Sequence, residues 1–214
     1  MILILPQNQN MNKVLDIKDL TDSTYVIYLE KNIDFKPGQY ITIGIDGYMR
    51  EYSLYNSPEE NHLELLVKQI QNGKLTTRLR KSIGQELIVM GPLGEFIIEE
   101  NDLNKPFTFI ATGTGISPFR SFVKSYDLDY QVIHGIRYAN ENYGIESFDS
   151  DKHILCVSRG EGKFKGRVTD YIKSIKLNPE GMYYLCGNAE MISEVGEILE
   201  EKVPLENIRN EVFF

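Results

Sequence analysis

The chain of 214 residues is poor in the residues that usually announce metal, disulfide or nucleic-acid chemistry. It has two cysteines, Cys156 and Cys186, each inside an apolar run that reads as a central strand. Two thiols build no disulfide framework and fall short of the ligand set that an iron–sulfur cluster held by these residues would need. The three histidines, His62, His134 and His153, fall on separate predicted strands and read as structural, so neither a metal site nor a hydrolytic triad is expected. Basic residues are outnumbered 23 to 31 by acidic ones, for a net charge of −8, and no lysine- or arginine-rich run is present. That balance speaks against nucleic-acid binding. Long hydrophobic runs are missing as well: Met1–Leu5 is apolar, but Pro6 and a Gln/Asn stretch follow. The run is too short for a signal-peptide core or a membrane span, and a cytoplasmic protein is expected. Internal repeats and low-complexity tracts are also absent.

What remains is enough to bury a core. Hydrophobic residues make up 42% of the chain, and its length accommodates two modest domains. The character changes near Glu99. Before it, short alternating runs are separated by turn residues: Tyr25/Ile27/Leu29, then Tyr40/Ile41/Ile43, Tyr52/Leu54, Leu63/Leu65/Val67 and Leu87/Val89. Such spacing predicts an antiparallel barrel or sandwich. One helical insert fits Lys74–Ser82, with Leu75 and Leu79 four apart. After "EENDLNKP", strands at Phe107–Ala111, Gln131–Ile136, Ile154–Val157 and Met182–Cys186 alternate with helices at Pro118–Tyr126, Glu141–Phe148, Val168–Ile175 and Met191–Glu201. That alternation demands parallel strands with helical crossovers.

The stretch "FIATGTGISPFRSF" lies in this second part. A buried strand runs into a Thr112-Gly113-Thr114-Gly115 loop, then Ser117 and Pro118, where Ser117 reads as an N-cap and Pro118 as the first helical residue. Glycines here expose backbone N–H groups, and the helix dipole adds positive potential, so the loop suits a phosphate as well as a tight turn. "REYSLYNS" puts Arg50 and Tyr52 on one strand face and Ser53 on the other: a bidentate cation, a flat ring and a hydroxyl. "VKQIQNGKLTTRL" adds Gly73 and Thr76 at a helix start, and "GPLGEF" reads as a turn. "YLCGNAEM" places Cys186 and Gly187 at the carboxyl end of a parallel strand, where open α/β sheets bind ligands. "NEVFF" brings Glu211, Phe213 and Phe214, a pair of aromatics that reads as core or tail.

The succession of these motifs resembles the ferredoxin–NADP reductase family, and "GTGISPFRSF" is close to its plant-type members. The family pattern is an FAD-binding barrel with Arg-x-Tyr-Ser and a Gly-x-x-Ser/Thr turn. A nucleotide-binding domain follows with Gly-Thr-Gly-x-x-Pro-x-Arg, Cys-Gly-x-x-x-Met and Glu-x-aromatic. The resemblance implies an FAD-binding antiparallel β-barrel over 1–101 and an NADP-binding α/β domain over 102–214. Tyr52 would stack on the flavin, Arg50 would meet the pyrophosphate, and Ser53 would sit by N5. Leu66, Lys68, Gly73 and Thr76 complete the FAD set. Thr112, Gly113, Thr114, Gly115, Pro118, Gly187 and Met191 would receive NADP, while Cys186 and Glu211 would line the nicotinamide pocket. Phe213 matches the family's stacking aromatic, one position short of Phe214. The adenine loop is short at "QIQNG", which leaves FMN as the alternative to FAD.

Charge points to NADPH over NADH. An acidic residue after the second strand is the usual NAD signature, whereas here Arg137 follows that strand, with Ser158-Arg159 and Arg167 further on. The implied reaction is hydride transfer from NADPH to flavin, then single-electron transfer to a separate ferredoxin or flavodoxin. Lys68, Lys74, Arg78, Arg80 and Lys81 offer a basic patch for such a partner or an ordinary solvated face. Alternatives are a flavin or ferric reductase with a small-molecule acceptor, and a reductase subunit docked on an oxygenase or dehydrogenase. A monomer that avoids membranes is expected.

Overall fold

The computed structural model describes residues 9–213, so the apolar run Met1–Leu5 and Phe214 lie outside the described residues. The chain divides into two compact units, Met1–Ile97 and Ile98–Phe214. In the first, β1 (Gln9–Asp19), β2 (Thr24–Glu30), β3 (Tyr40–Ile45), β4 (Tyr48–Ser53), β5 (His62–Lys68) and β6 (Glu86–Leu93) form one antiparallel sheet. Its order is β4-β3-β6-β1-β2-β5, and a Leu54–Leu65 bridge just past β4 brings the two edges together, closing a barrel. Closure removes exposed strand edges. The alternating residues that mark the strands fill the interior: Tyr25, Ile27, Leu29, Ile41, Ile43, Leu63, Leu65, Val67, Leu87 and Val89 are fully buried. Helix α1 (Lys74–Leu79) packs Leu75 and Leu79 against this core.

The barrel corrects three expectations. β1 was not anticipated, because its Gln/Asn-rich sequence hides a buried position. Asn12 is fully buried, and its amide donates to the Glu30 carbonyl (2.7 Å) and Asn32 Oδ1 (2.7 Å), so a polar residue occupies a core site. α1 stops at Leu79, three residues short of Ser82, whose hydroxyl and N–H both turn back to the Leu79 carbonyl. Gly91–Leu93 of "GPLGEF" are strand, with Leu93 opposite Tyr40 in β3.

In the second unit, β7 (Phe107–Thr112), β8 (Tyr130–Ile136), β9 (His153–Val157), β10 (Phe164–Lys165), β11 (Met182–Gly187) and β12 (Ile208–Val212) form a parallel sheet of order β10-β9-β8-β7-β11-β12. The helices are α2 (Ser117–Ser125), α3 (Val168–Ser174) and α4 (Ala189–Glu200). α2 covers one sheet face through Phe119 and Phe122 on Phe109 (ring centroids 4.9 and 5.6 Å). The other face carries Ile110, Ile133 and Leu185, packed with Val168, Ile172, Val195 and Leu199 of α3 and α4. Burying each such side chain contributes roughly 1.5–3 kcal/mol.

Two differences stand out here. The helix expected at Glu141–Phe148 is replaced by two single 3₁₀ turns, Ala139–Glu141 and Ile145–Ser147, separated by Gly144 in the left-handed region (φ 70°). β10 and β12 were also unforeseen. β12 is an edge strand whose Arg209, Asn210 and Glu211 dilute the apolar signal, and it makes "NEVFF" the end of a sheet. From β7 the strand order runs to β8, β9 and β10 on one side and to β11 and β12 on the other. The switch point therefore lies between β7 and β11.

Candidate functional site

In the barrel, β4 carries Arg50, Tyr52 and Ser53, opposite Ile43, Ile41 and Tyr40 of β3. Arg50 is exposed and donates to the Met49 carbonyl (2.8 Å). Tyr52 is half-buried against the core, and burial pushes its phenol up to about 12, with the nearby Arg50 charge opposing the shift. It is therefore a neutral ring with an adjacent cation. Ser53 is buried on the opposite face of the strand. On β5, Leu66 is buried and Lys68 half-buried, opposite Val26 and Thr24.

α1 lies beside β3 and β4. The Tyr48 ring of β4 sits beneath Lys74 (5.5 Å) and Arg78 (4.7 Å) of the helix. Gly73 precedes that helix, and a Cβ there would come within 2.6 Å of Ile70 Cγ1 and 2.7 Å of Thr76 Oγ1. The Thr76 carbonyl accepts from Tyr25 (2.7 Å), but its own Oγ1 is buried with no hydrogen-bond partner among the described residues. An oxygen-rich ligand would satisfy that orphaned hydroxyl, so the donor set fits a pyrophosphate. Of the five cations read as a possible patch, Arg78 pairs with Asp46 (3.1 Å) and Arg80 with Asp19 (2.7 Å). Sequence reasoning did not single out Glu60 and Glu64, which converge on His62 Nε2 at 3.6 and 2.9 Å. Glu64 and His62 stand at i and i+2 on β5, so strand alternation was the available signal.

In the α/β unit, the carboxyl ends of β7 and β11 bring together the residues of two motifs. Gly113–Ile116 is a 3₁₀ turn that runs directly into α2. This corrects the expected cap: Ser117 is itself helical (φ −55°, ψ −56°), and its hydroxyl donates to the Thr114 carbonyl (2.8 Å). Pro118, expected as the first helical residue, is the second, still within the first turn. Gly113 has φ +54°, and a Cβ built there would meet nothing within 4 Å, which leaves open space beside the turn. Gly115 is the reverse: its Cβ would lie 2.3 Å from the Cys186 carbonyl oxygen. Gly187 (φ +131°) approaches Thr112 as closely, and Thr112 Oγ1 accepts from the Asn188 N–H (2.9 Å). Asn188 then caps α4 through Glu190 and Met191, and Met191 is buried. Neither Thr112's hydroxyl bond nor Asn188 was foreseen; the Asn before a helical run was the available signal.

β12 sets Glu211 opposite Cys186, with the carboxylate 4.0 Å from Sγ, and the Phe213 N–H donates to the Gly187 carbonyl (2.8 Å). Cys186 is fully buried, which, with Glu211 beside it, holds its thiol well above the usual range. Farther along the sheet edge, Arg159 N–H donates to the Arg137 carbonyl (2.8 Å) and Ser158 N–H to that of Ile136 (3.0 Å). All three expected residues are exposed, and neither Arg137 nor Arg159 forms an ion pair among the described residues. Arg167 stands apart: it precedes α3 and pairs with Glu190 (3.4 Å) and Glu194 (3.6 Å) of α4.

A closed antiparallel barrel followed by a parallel sheet with a glycine turn at its switch point defines the class of two-domain oxidoreductases that bind a flavin and a nicotinamide nucleotide. Residues 19–98 match the oxidoreductase FAD-binding domain and residues 109–197 the oxidoreductase NAD-binding domain. The chain is 29% identical to the ferredoxin–NADP reductase of Azotobacter vinelandii, with 90% of each chain covered. It is 35% identical to the anthranilate 1,2-dioxygenase electron transfer component of Acinetobacter baylyi, over 88% of this chain and 62% of that one. Its fold matches a ferredoxin NADP+ reductase from Neisseria gonorrhoeae with bound FAD and NADP (TM-score 0.83, 20% identity, 97% and 100% covered). The chain is an FAD-dependent oxidoreductase built of these two domains, with homologues named ferredoxin–NADP reductase. Among the described residues, no helix is long and apolar enough to cross a membrane.

Proposed function

We propose that this flavoprotein passes electrons between NADPH and a separate one-electron protein carrier, a ferredoxin or flavodoxin. FAD is assigned to residues 1–101 and NADPH to 102–214. The observation that carries the NADPH half is the exposed Arg137–Ser158–Arg159 group at the ends of β8 and β9. It offers two cations free of ion pairs and a hydroxyl where an NAD site would present a carboxylate. The carrier rests on relatives named ferredoxin–NADP and flavodoxin/ferredoxin–NADP reductase.

FAD, when bound, would supply the hydride-accepting and single-electron redox chemistry. The chain's residues bind and orient. Arg50 would meet the pyrophosphate, and Thr76 Oγ1 would gain its missing partner there. Tyr52, held neutral, offers a stacking face, and Ser53 a hydroxyl for N5. In the α/β unit the turn Gly113–Gly115 presents backbone donors to the nucleotide phosphates. Cys186, kept protonated by burial, is a compact neutral wall of the nicotinamide pocket rather than a nucleophile. Glu211 supplies the polar end of that wall, and Phe213 an aromatic face on which a ring stacks. Arg167 serves the 2′-phosphate only after exchanging Glu190 and Glu194 for it.

A second reading, a reductase component serving an oxygenase, is favoured by the 35% identity to a dioxygenase electron transfer component. Both are tested on purified protein: anaerobic titration with NADPH and NADH, then turnover with ferredoxin, flavodoxin or an oxygenase as acceptor. The proposal expects a yellow protein bleached preferentially by NADPH that reduces the small carriers. Protein that stays colourless and unreactive after added FAD or FMN overturns it. Electron delivery to an oxygenase alone selects the second reading.

A further inference from the structure

His134 looks like an ordinary core residue: it stands on β8 between Ala111 of β7 and Leu155 of β9 and is fully buried. Its ring reaches the phosphate turn. Nε2 lies 2.9 Å from the carbonyl oxygen of Gly113, the first residue of that turn. A carbonyl only accepts, so Nε2 carries the hydrogen and Nδ1 is bare. Nδ1 is buried with no hydrogen-bond partner among the described residues. Burial drives the imidazole down to about 4, so it is neutral at physiological pH and has this one donor to offer.

The consequence lies on the other edge of the same peptide. The Gly113–Thr114 bond is trans, and in a planar trans peptide the C=O and the N–H point in opposite directions. Anchoring the Gly113 oxygen toward the sheet therefore aims the Thr114 N–H away from it. That N–H stands in the first turn of the 3₁₀ helix, where backbone donors have no intrahelical acceptor. The φ of +54° at Gly113 and the open space beside its Cα complete the arrangement. The 3₁₀ turn draws this carbonyl toward the chain ahead, and the histidine bond adds a hold from the sheet that the turn alone lacks.

We infer that His134 is a positioning residue: by holding the Gly113 carbonyl it fixes the Thr114 N–H as a donor to the nucleotide pyrophosphate. The inference rests on the nucleotide reading of this turn and adds to it a residue that touches no ligand. It is tested by measuring the affinity of the holoenzyme for NADP+ and for adenosine 2′-monophosphate, which carries the 2′-phosphate but no pyrophosphate.

His134→Phe should weaken NADP+ about tenfold and leave adenosine 2′-monophosphate within about twofold. His134→Gln, whose amide N–H reaches a similar point, should recover most of the loss. Equal weakening of both ligands, or of neither, overturns the inference. Wild-type protein that binds neither ligand overturns the nucleotide reading itself, before any variant is made. Should His134→Phe not fold, nitrogen NMR of the unaltered protein decides. The Nε2–H tautomer and a Thr114 amide signal that moves with NADP+ but not with adenosine 2′-monophosphate are expected. An Nδ1–H tautomer or an unmoved Thr114 amide overturns the inference.

Discussion

In the barrel, the candidate groups are side chains: the Arg50 guanidinium, the Tyr52 ring and the orphaned Thr76 hydroxyl. In the parallel sheet they are largely main chain, presented by Gly113, Gly115 and Gly187, with Thr112, Asn188 and His134 as braces. The two constructions fail differently. A site of side chains loses one contact at a time and keeps its fold, because cutting back one side chain leaves the backbone and the other contacts in place. A site of main chain has nothing to cut back. It breaks when an added atom forces strands apart, and then binding and stability go together.

The sharpest way to break this contrast is Gly115→Ala, whose methyl would press on the Cys186 carbonyl at 2.3 Å with only backbone to move. It should destabilise the α/β unit by about 3 kcal/mol and abolish NADP+ binding while FAD stays bound. Denaturant melts and flavin content check it, and normal NADP+ affinity would refute a main-chain site.

Acid is the next lever. His134 titrates near 6.5 when unfolded and about 4 when folded, so the unfolded chain takes up the proton first. Stability is full above about 6.5, falls as pH drops from there to about 4, and is flat below. The loss from His134 approaches 3 kcal/mol, an order-of-magnitude figure. The groups around it are the His153 ring, itself lowered to about 4, Glu141, and the Gly113 carbonyl. Denaturation in His134→Phe should depend less on pH across that window.

Tyr52→Ala removes a half-buried ring, should cost the barrel about 2 kcal/mol and should loosen the flavin, measured by ultrafiltration. NADP+ affinity should not change. Arg159→Ala should raise KM for NADPH about tenfold with little effect on NADH. Least is expected of Asp46→Ala, which breaks the exposed pair with Arg78 and should shift stability by under about 1 kcal/mol.

Much of this was legible in the sequence because it depends on local constraint. The glycine turn could be read from residues whose conformations few others adopt, and Arg50/Tyr52 from the period of a strand. What escaped depends on partners far along the chain. Asn12 is tolerable in the core only because Glu30 and Asn32 meet it, and no local pattern announces that. Ser117 had the right identity and position for a cap, but a 3₁₀ turn started the helix earlier. Arg167 read as a free cation until α4 brought Glu190 and Glu194 to it. His134 has the same sequence signature as any core histidine, and only the Gly113 carbonyl distinguishes it.

The two cysteines have a use that is independent of redox chemistry. Both belong to the parallel sheet, one on each face: Cys186 is in register with Ala111 on the α2 side, while Cys156 joins the cluster under α3 and α4. Both are fully buried, and burial pushes the Cys156 thiol up to about 12. The barrel has no cysteine in residues 1–97. A thiol reagent therefore reacts only when the α/β unit opens, so its rate of incorporation is a clock for that unit alone. The two labelled peptides, separated after digestion, report which face came away first.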